Sequence, residues 1–318
     1  MAAPAPTQSR SPRRIGMTEV EQLVVAVRAV RVRDYQHGGG SCHAAVLDHL
    51  SWGQELLGAW ASDRVTIALR VALADLHNLT GWICFDTGRV ADASTHFQHA
   101  LTLARQSHYD ALIANIHYRM GRVHLHHHAP VEALTQFHLG QTAAQACGSQ
   151  HALATLYANQ AWAYATMGVA DRALRLLDQS RGAFASADLA QAPGWAAFFD
   201  ATDLSAMVGT VHAELAQTVH TRHTGSAIPA LSHAAVGYPE DMARSKTFTL
   251  ISLATCHLLD GDVDLAITIG SQAVELATTL ASARPAERMR PLQHQADKHR
   301  GNADVGELSH LITTFAAA

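Results

Sequence analysis

The chain is short of nearly everything that marks an enzyme, an exported protein or a membrane protein. Only 16% of its 318 residues are charged and the formal net charge is −4, so it presents no general electrostatic footprint for nucleic acid. Its basic residues are spread thinly apart from Arg10, Arg13 and Arg14 near the start. No stretch reaches the roughly 18 uncharged apolar residues of a membrane helix. The first residues, MAAPAPTQSRSPRRI, hold no apolar core of an export signal. Four cysteines, Cys42, Cys84, Cys147 and Cys256, stand far apart without a CxxC pair, which suits a reducing cytoplasm and buried thiols acting as small hydrophobes. No HExxH, GxSxG or glycine-rich phosphate loop is present, and no segment alternates with period two over a useful length. Export, membrane spanning, β-architecture and the commoner hydrolase and nucleotide chemistries are all disfavoured. Neither a cofactor nor a metal is expected.

What the chain does have is a spaced pattern of small and large residues. Gly81, Gly88, Ala93, Phe97 and Ala100 recur 40 residues later as Gly121, His128, Ala133, Phe137 and Gly140, and again as Ala161, Gly168, Ala173, Leu177 and Ser180. A further copy, Ala254, Gly261, Ala266, Gly270 and Ala273, follows after a gap that leaves room for one divergent unit. Repetition at such a period marks a stacked solenoid. The spacing fits two helices joined at a tight turn, with small residues where the helix backbones approach and a large residue as the knob between them. The expected fold is all-α: a tetratricopeptide-like, right-handed α-solenoid of helix-turn-helix repeats with a C-terminal capping helix pair.

Along the chain, residues 1–16 read as a disordered basic arm, 17–284 as the helical repeat array and 285–318 as capping helices. Thr18 with Glu21 suggests a capping box at the first helix. Gly38, Gly39 and Gly40 end that segment, and Ser41 is placed to cap a second helix reaching Trp60. Long helices are expected from about Asp63 to Ala187, with boundaries near Gly88, His108, His128, Gly148 and Gly168. A longer irregular helix is expected from Trp195 to about His220, a short one near 228–236, and a regular repeat from Met242 to Leu280.

Several phrases go beyond the generic repeat: RRIGMTEVEQL with the later GGG, YRMGRVHL, YANQAWAYATMG, AAFFDATDLSAM, DMARSKTFTLISLATCHLLDGDVDLA and HRGNADVGELSHLI. Together, over roughly residues 13–315, they resemble the tetratricopeptide region of actinobacterial regulators that carry an N-terminal helix-turn-helix of the XRE class. The resemblance implies a cytoplasmic, non-enzymatic sensor or adaptor. Such relatives begin with a DNA-binding domain, whereas here only the arm precedes the array, so no direct nucleic-acid binding is expected of this chain alone. Two other readings stay open: a transcriptional regulator whose DNA-binding head is missing from this chain, and a metal-binding or enzymatic helical protein. Homodimerisation is also left open.

In tetratricopeptide arrays the residues three before, one after and four or five after the first small residue face the concave groove. That register selects Asn78, Trp82, Phe85 and Asp86 in the first regular repeat, Tyr118 and Arg122 in the second, and Trp162 with neighbouring Asn159 in the third. Rigid aromatic area beside Arg and Asn donors suits capture of a peptide or protein partner. Trp82, Phe85 and Trp162 could equally pack between repeats. Asp200 and Asp203, at i and i+3 beside Phe198 and Phe199, are candidates for a groove contact to a cationic partner or for a solvated helix face. The 22 histidines include His117, His124 and His128 on one helical face and the pair His96 and His99. No Cys, Asp or Glu completes a metal shell at matching positions.

Overall fold

The computed structural model describes residues 14–299 and 301–317. Fifteen α-helices and five short 3₁₀ turns account for nearly all of them, and none of the described residues forms a strand. Five helix hairpins form the array: α3 (Asp63–Asp86) with α4 (Val90–Gln106), α5 (Asp110–His126) with α6 (Pro130–Ala146), α7 (Gln150–Thr166) with α8 (Ala170–Ala185), α9 (Ala201–Thr218) with α10 (Thr224–Gly237), and α11 (Ala243–Asp260) with α12 (Val263–Thr278). Before them stand α1 (Met17–His37) and α2 (His43–Leu57). After them come α13 (Arg284–Arg288), α14 (Arg290–Ala296) and α15 (Ala303–Ala317), of which α14 and α15 pack on each other and on the last hairpin. The result is an all-α, tetratricopeptide-like solenoid.

The repeated pattern makes the first four hairpins by matching knob to hole. A Cβ added to Gly81 would stand 2.8 Å from the Phe97 ring, and one added to Gly121 would stand 2.3 Å from Phe137. Both rings are buried, so only a residue without a side chain lets the helices approach. Where the hole is Ala161, the knob shrinks to Leu177, and both are again buried. The divergent fourth unit uses the same device with a longer connection, since a Cβ on Gly209 would meet Leu231 at 2.5 Å.

Turns follow the same period. Gly88, Gly168 and Gly261 adopt positive φ after the first helix of their hairpins, as does Gly148 between hairpins. In the second repeat the equivalent of Gly88 is His128, with φ 56°, and the equivalent of Gly148 one repeat earlier is His108, with φ 50°.

Several boundaries differ from the sequence expectation. α1 starts at Met17 because the Glu19 carboxylate accepts a hydrogen bond from the Gly16 amide at 2.8 Å, so the box expected at Thr18 and Glu21 is not the start. Ser41 donates to the Gly38 carbonyl inside a 3₁₀ turn rather than capping α2. α9 starts at Ala201, not near Trp195, because Asp200 accepts from the amides of Thr202 and Asp203 at 2.8 and 3.0 Å. α10 begins at Thr224, so His223, Thr224 and Gly225 lead into a helix that is longer than expected. Cys147 is exposed at a turn, while Cys42, Cys84 and Cys256 are buried. Of the basic run near the start, Arg10 and Arg13 lie outside the described residues; the Arg14 guanidinium sits 4.7 Å above the Trp60 ring.

The superhelix brings its last hairpin back to its first helices. Arg244 at the start of α11 donates to both carboxylate oxygens of Asp34 on α1, at 3.0 and 2.9 Å, and pairs with Asp86 at the end of α3 at 3.0 Å. Backbone bonds seal the same seam: the Ala281 amide to the His37 carbonyl, the Gly40 amide to the Ala281 carbonyl, and the Ala283 amide to the Asp86 carbonyl. A Cβ on Gly38 or Gly40 would strike Ala281 at under 3.0 Å, which explains why the segment between α1 and α2 is a run of glycines.

Candidate functional site

Ring closure turns the concave face into a channel with two compartments. One is a chamber of about 110 Å³ lined by aromatic rings, including Trp82, Tyr118, Trp162 and Phe248, together with five arginines and Asp203. The other, of about 420 Å³, is lined by apolar side chains such as Leu125 and Ile251 together with charged and histidine side chains such as His126, Glu214, Glu287 and His294. The two share Trp162, Thr210 and Arg288 in their walls. The residue directly after each small residue lines one or other compartment: Trp82, Arg122, Trp162, Thr210 and Thr255. One register position repeated through five hairpins therefore builds the channel wall.

The sequence-selected residues divide into two groups. Trp82, Tyr118, Arg122, Trp162 and Asp203 meet around the chamber. Arg122 stacks 4.9 Å from the Trp162 ring centre and 5.9 Å from that of Tyr118, whose hydroxyl accepts from it at 3.2 Å. Trp162 donates its indole N–H to Glu214 at 3.2 Å.

The other five do not reach the chamber. Asn78 is wholly buried and donates to Asn115 between neighbouring repeats. Asn159 is also buried, its amide donating to the Thr155 carbonyl one turn back. Phe85 packs beneath Arg284 and against His126. Asp86 is consumed by the seam, and Asp200 is an exposed helix cap.

Sequence reasoning passed over four arginines of the chamber wall. Arg119 donates to the Asn78 carbonyl at 2.9 Å. Arg244 holds the seam. Arg284 lies over Trp82, Phe85 and Phe248, and Arg288 stands 4.7 Å from Trp162. The last two sit in α13, which delivers them to a channel formed by helices far away in the chain. The register could have supplied Thr255, which follows the recognised Ala254, and also Thr210, had Gly209 been recognised as the fourth small residue.

Burial would by itself raise the Asp86 carboxyl, yet Arg244 and Arg284 outweigh it and hold that group below its ordinary range. Arg244 is likewise raised, because Asp34 and Asp86 more than offset its burial. Arg284 and Arg288 are pushed down, first by burial and then by neighbouring arginines, although a guanidinium keeps its charge in a protein. Burial, reinforced by Asp200, pushes Asp203 up to about 8 beside its hydrogen-bond partner Tyr238. Burial and the nearby Arg284 and Arg288 push His126 down to about 2, so its contact to Glu287 at 2.6 Å is a hydrogen bond from a neutral ring.

Away from the channel, His77, His96 and His99 place their ligand nitrogens within 4.8 Å of one another, and these are the side chains among the described residues that could hold a metal ion. The His77 and His96 Nδ1 atoms face each other at 3.0 Å. His117 instead bonds Gln136. No helix among the described residues is long and apolar enough to cross a membrane.

No protein-family model and no curated protein matches the chain. Its fold is a tetratricopeptide-like solenoid, and two solved structures are similar to it. RapI in its apo form shares 9% identity over 93% of this chain and 76% of its own, with a TM-score of 0.51. A Rap protein complexed with competence and sporulation factor shares 10% over 93% and 87%, with a TM-score of 0.52. At that identity the likeness is one of fold.

Proposed function

We propose that the chain is a non-enzymatic regulatory sensor or adaptor that takes a peptide, or an extended segment of a protein partner, into its channel. The observation that carries this reading is the convergence of rings and guanidinium groups from separate hairpins on one chamber that adjoins a larger compartment. Rigid aromatic area and fixed donors are what recognition sites use. No nucleophile with an activating base stands with them, as covalent catalysis would need. Ligand capture by a similar fold supports the reading, since one Rap protein is complexed with competence and sporulation factor. The sequence resemblance to XRE-class regulators is in keeping with a role in a cytoplasmic regulatory pathway, exerted through the bound partner.

The test is a peptide-display selection on the purified chain, followed by calorimetry on the selected peptides. Arg122→Ala should weaken binding by about 2 kcal/mol or more, the scale of a central anchor, with an unchanged melting curve. Arg105→Ala, on the outer helix α4, should bind as the parent does. Equal affinities for both variants would remove the channel from consideration.

A further inference from the structure

The charged groups that line the chamber are five arginines, Arg119, Arg122, Arg244, Arg284 and Arg288, and a single acid, Asp203. Only Arg244 and Arg284 have carboxylate partners, and those partners are Asp34 and Asp86 of the seam. Among the described residues, Arg119, Arg122 and Arg288 make no ion pair. Arg122 and Arg288 both stand against the one Trp162 ring, at 4.9 and 4.7 Å from its centre. Two cations held on one indole repel each other in a site of low dielectric. Glu214, whose charge favours that of Arg288, faces the larger compartment and already accepts from Trp162. Donors are also left over: the Nε of Arg284 and the hydroxyl of Tyr35, both wall residues, are buried without a hydrogen-bond partner. Buried donors and paired cations of this kind are costly unless an acceptor meets them.

We infer that the chamber is an oxyanion site that anchors a carboxylate of an acidic peptide against Arg122 and Arg288. The inference rests on the channel reading above and narrows its ligand. Planar guanidinium forks match a carboxylate in geometry and charge. About 110 Å³ suits one acidic side chain or chain terminus, and the adjoining 420 Å³ accommodates the residues next to it. Asp203 does not compete for the arginines, because burial keeps it largely protonated near neutral pH. The aromatic rings exclude water from the ion contacts and so strengthen them.

The experiment titrates the purified full chain by its tryptophan fluorescence, since Trp82 and Trp162 line the chamber. The probes are four pools of random hexapeptides: one fixed to contain Glu, one with Gln in its place, one with phosphoserine, and the Glu pool with amidated C-termini. Citrate and inorganic phosphate are tested separately by thermal shift. The Glu pool should bind at least tenfold more tightly than the Gln pool, and the difference should shrink as salt rises from about 50 to about 500 mM. Arg122→Gln and Arg288→Gln should each abolish the difference, Arg122→Lys should keep part of it, and Arg105→Gln should leave it intact. Melting curves accompany every variant, and either arginine variant alone suffices if the other does not fold.

If the Glu and Gln pools bind alike and amidation of the C-terminus leaves the affinity unchanged, the oxyanion inference is overturned while the channel reading stands. If neither pool binds but citrate or phosphate raises the melting temperature through Arg122, the peptide reading falls and the acidic-peptide ligand falls with it. Tighter binding of the phosphoserine pool would overturn the carboxylate assignment. Weaker binding of the amidated Glu pool than of the free-acid Glu pool would place the anchoring carboxylate at the chain terminus. Silence of all probes would overturn both readings.

Discussion

Gly121→Ala isolates the knob-and-hole rule on which the whole array rests. In the middle of α5, alanine in place of glycine would ordinarily stabilise the helix by about 0.8–1.0 kcal/mol. Here the new methyl would lie 2.3, 2.5 and 2.8 Å from three carbons of the Phe137 ring, far inside van der Waals contact. Phe137 is fully buried, so relief requires the ring to leave its rotamer or the two helices to part, at a cost of about 1–3 kcal/mol. Subtracting the propensity gain leaves a net loss of up to about 2 kcal/mol. The third repeat supplies the remedy, because Ala161 already accommodates Leu177 there. Gly121→Ala combined with Phe137→Leu should therefore be more stable than the two separate effects would sum to, with a coupling of about 1 kcal/mol or more. Urea unfolding followed by circular dichroism reads all four members of the cycle. A single variant Gly121→Ala that is more stable than the parent, or a cycle with no coupling, would refute the reasoning.

How much of this was legible in the sequence depends on the range of the interaction. Within each of the three regular hairpins from α3 to α8, knob and hole are 16 residues apart, as in Gly81 and Phe97 or Gly121 and Phe137, so one helix length and one loop length fix the geometry. Trp82, Arg122 and Trp162 followed from that register. The fourth hairpin kept the hole, Gly209, but lengthened the connection to Leu231, and the periodic reading lost it there. Ring closure was not legible at all. Arg244 and Asp34 are 210 residues apart, belong to no repeat position, and meet only because the superhelical path of five hairpins returns to its start. The arginines of α13 were hidden for the same reason. Asn78 and Asn159 show the converse case: one amide bonds Asn115 of the next repeat and the other the Thr155 carbonyl of its own helix, where polarity had suggested a ligand contact.

Three further outcomes follow from backbone and charge. His108 occupies a left-handed turn that Gly148 fills one repeat later; His108→Gly should raise stability by roughly 0.5–1 kcal/mol, because relief of the αL cost exceeds the added chain entropy, and a lower urea midpoint would count against it. Burial pushes His77, His126 and His212 down to about 3, 2 and 4. The unfolded chain then binds more protons than the native one below about pH 6.5, and stability should fall by up to about 1.4 kcal/mol per pH unit for each group as pH drops from there toward 4. Asp203 acts in the opposite sense: its carboxyl is raised to about 8, so the native state holds the extra proton, and that stability is lost as pH rises from about 4 through 8. Asp203→Asn should flatten the fall in stability between about pH 6.5 and 8 and steepen the acid limb between about pH 4 and 6.5; a stability profile that ignores the substitution would contradict the assignment. The seam gives the last outcome. Asp34 and Asp86 have no solvent exposure, and Arg244 is the only ion-pair partner of Asp34 among the described residues. Arg244→Met keeps the bulk but leaves the Asp34 carboxylate buried and uncompensated, a change of about 3–5 kcal/mol. That penalty exceeds what the few backbone bonds around Ala281 can contribute at about 1 kcal/mol each, so the seam should part before the hairpins unfold. Hydrogen exchange should then accelerate at Gly38, Gly40, Ala281 and Ala283 while the amides of α5 to α8 stay protected. Adding Asp34→Asn to Arg244→Met removes the stranded charge and should recover much of the loss. Exchange that quickens evenly along the chain would mean that the contact stabilises the array as a whole and does not act as a closure.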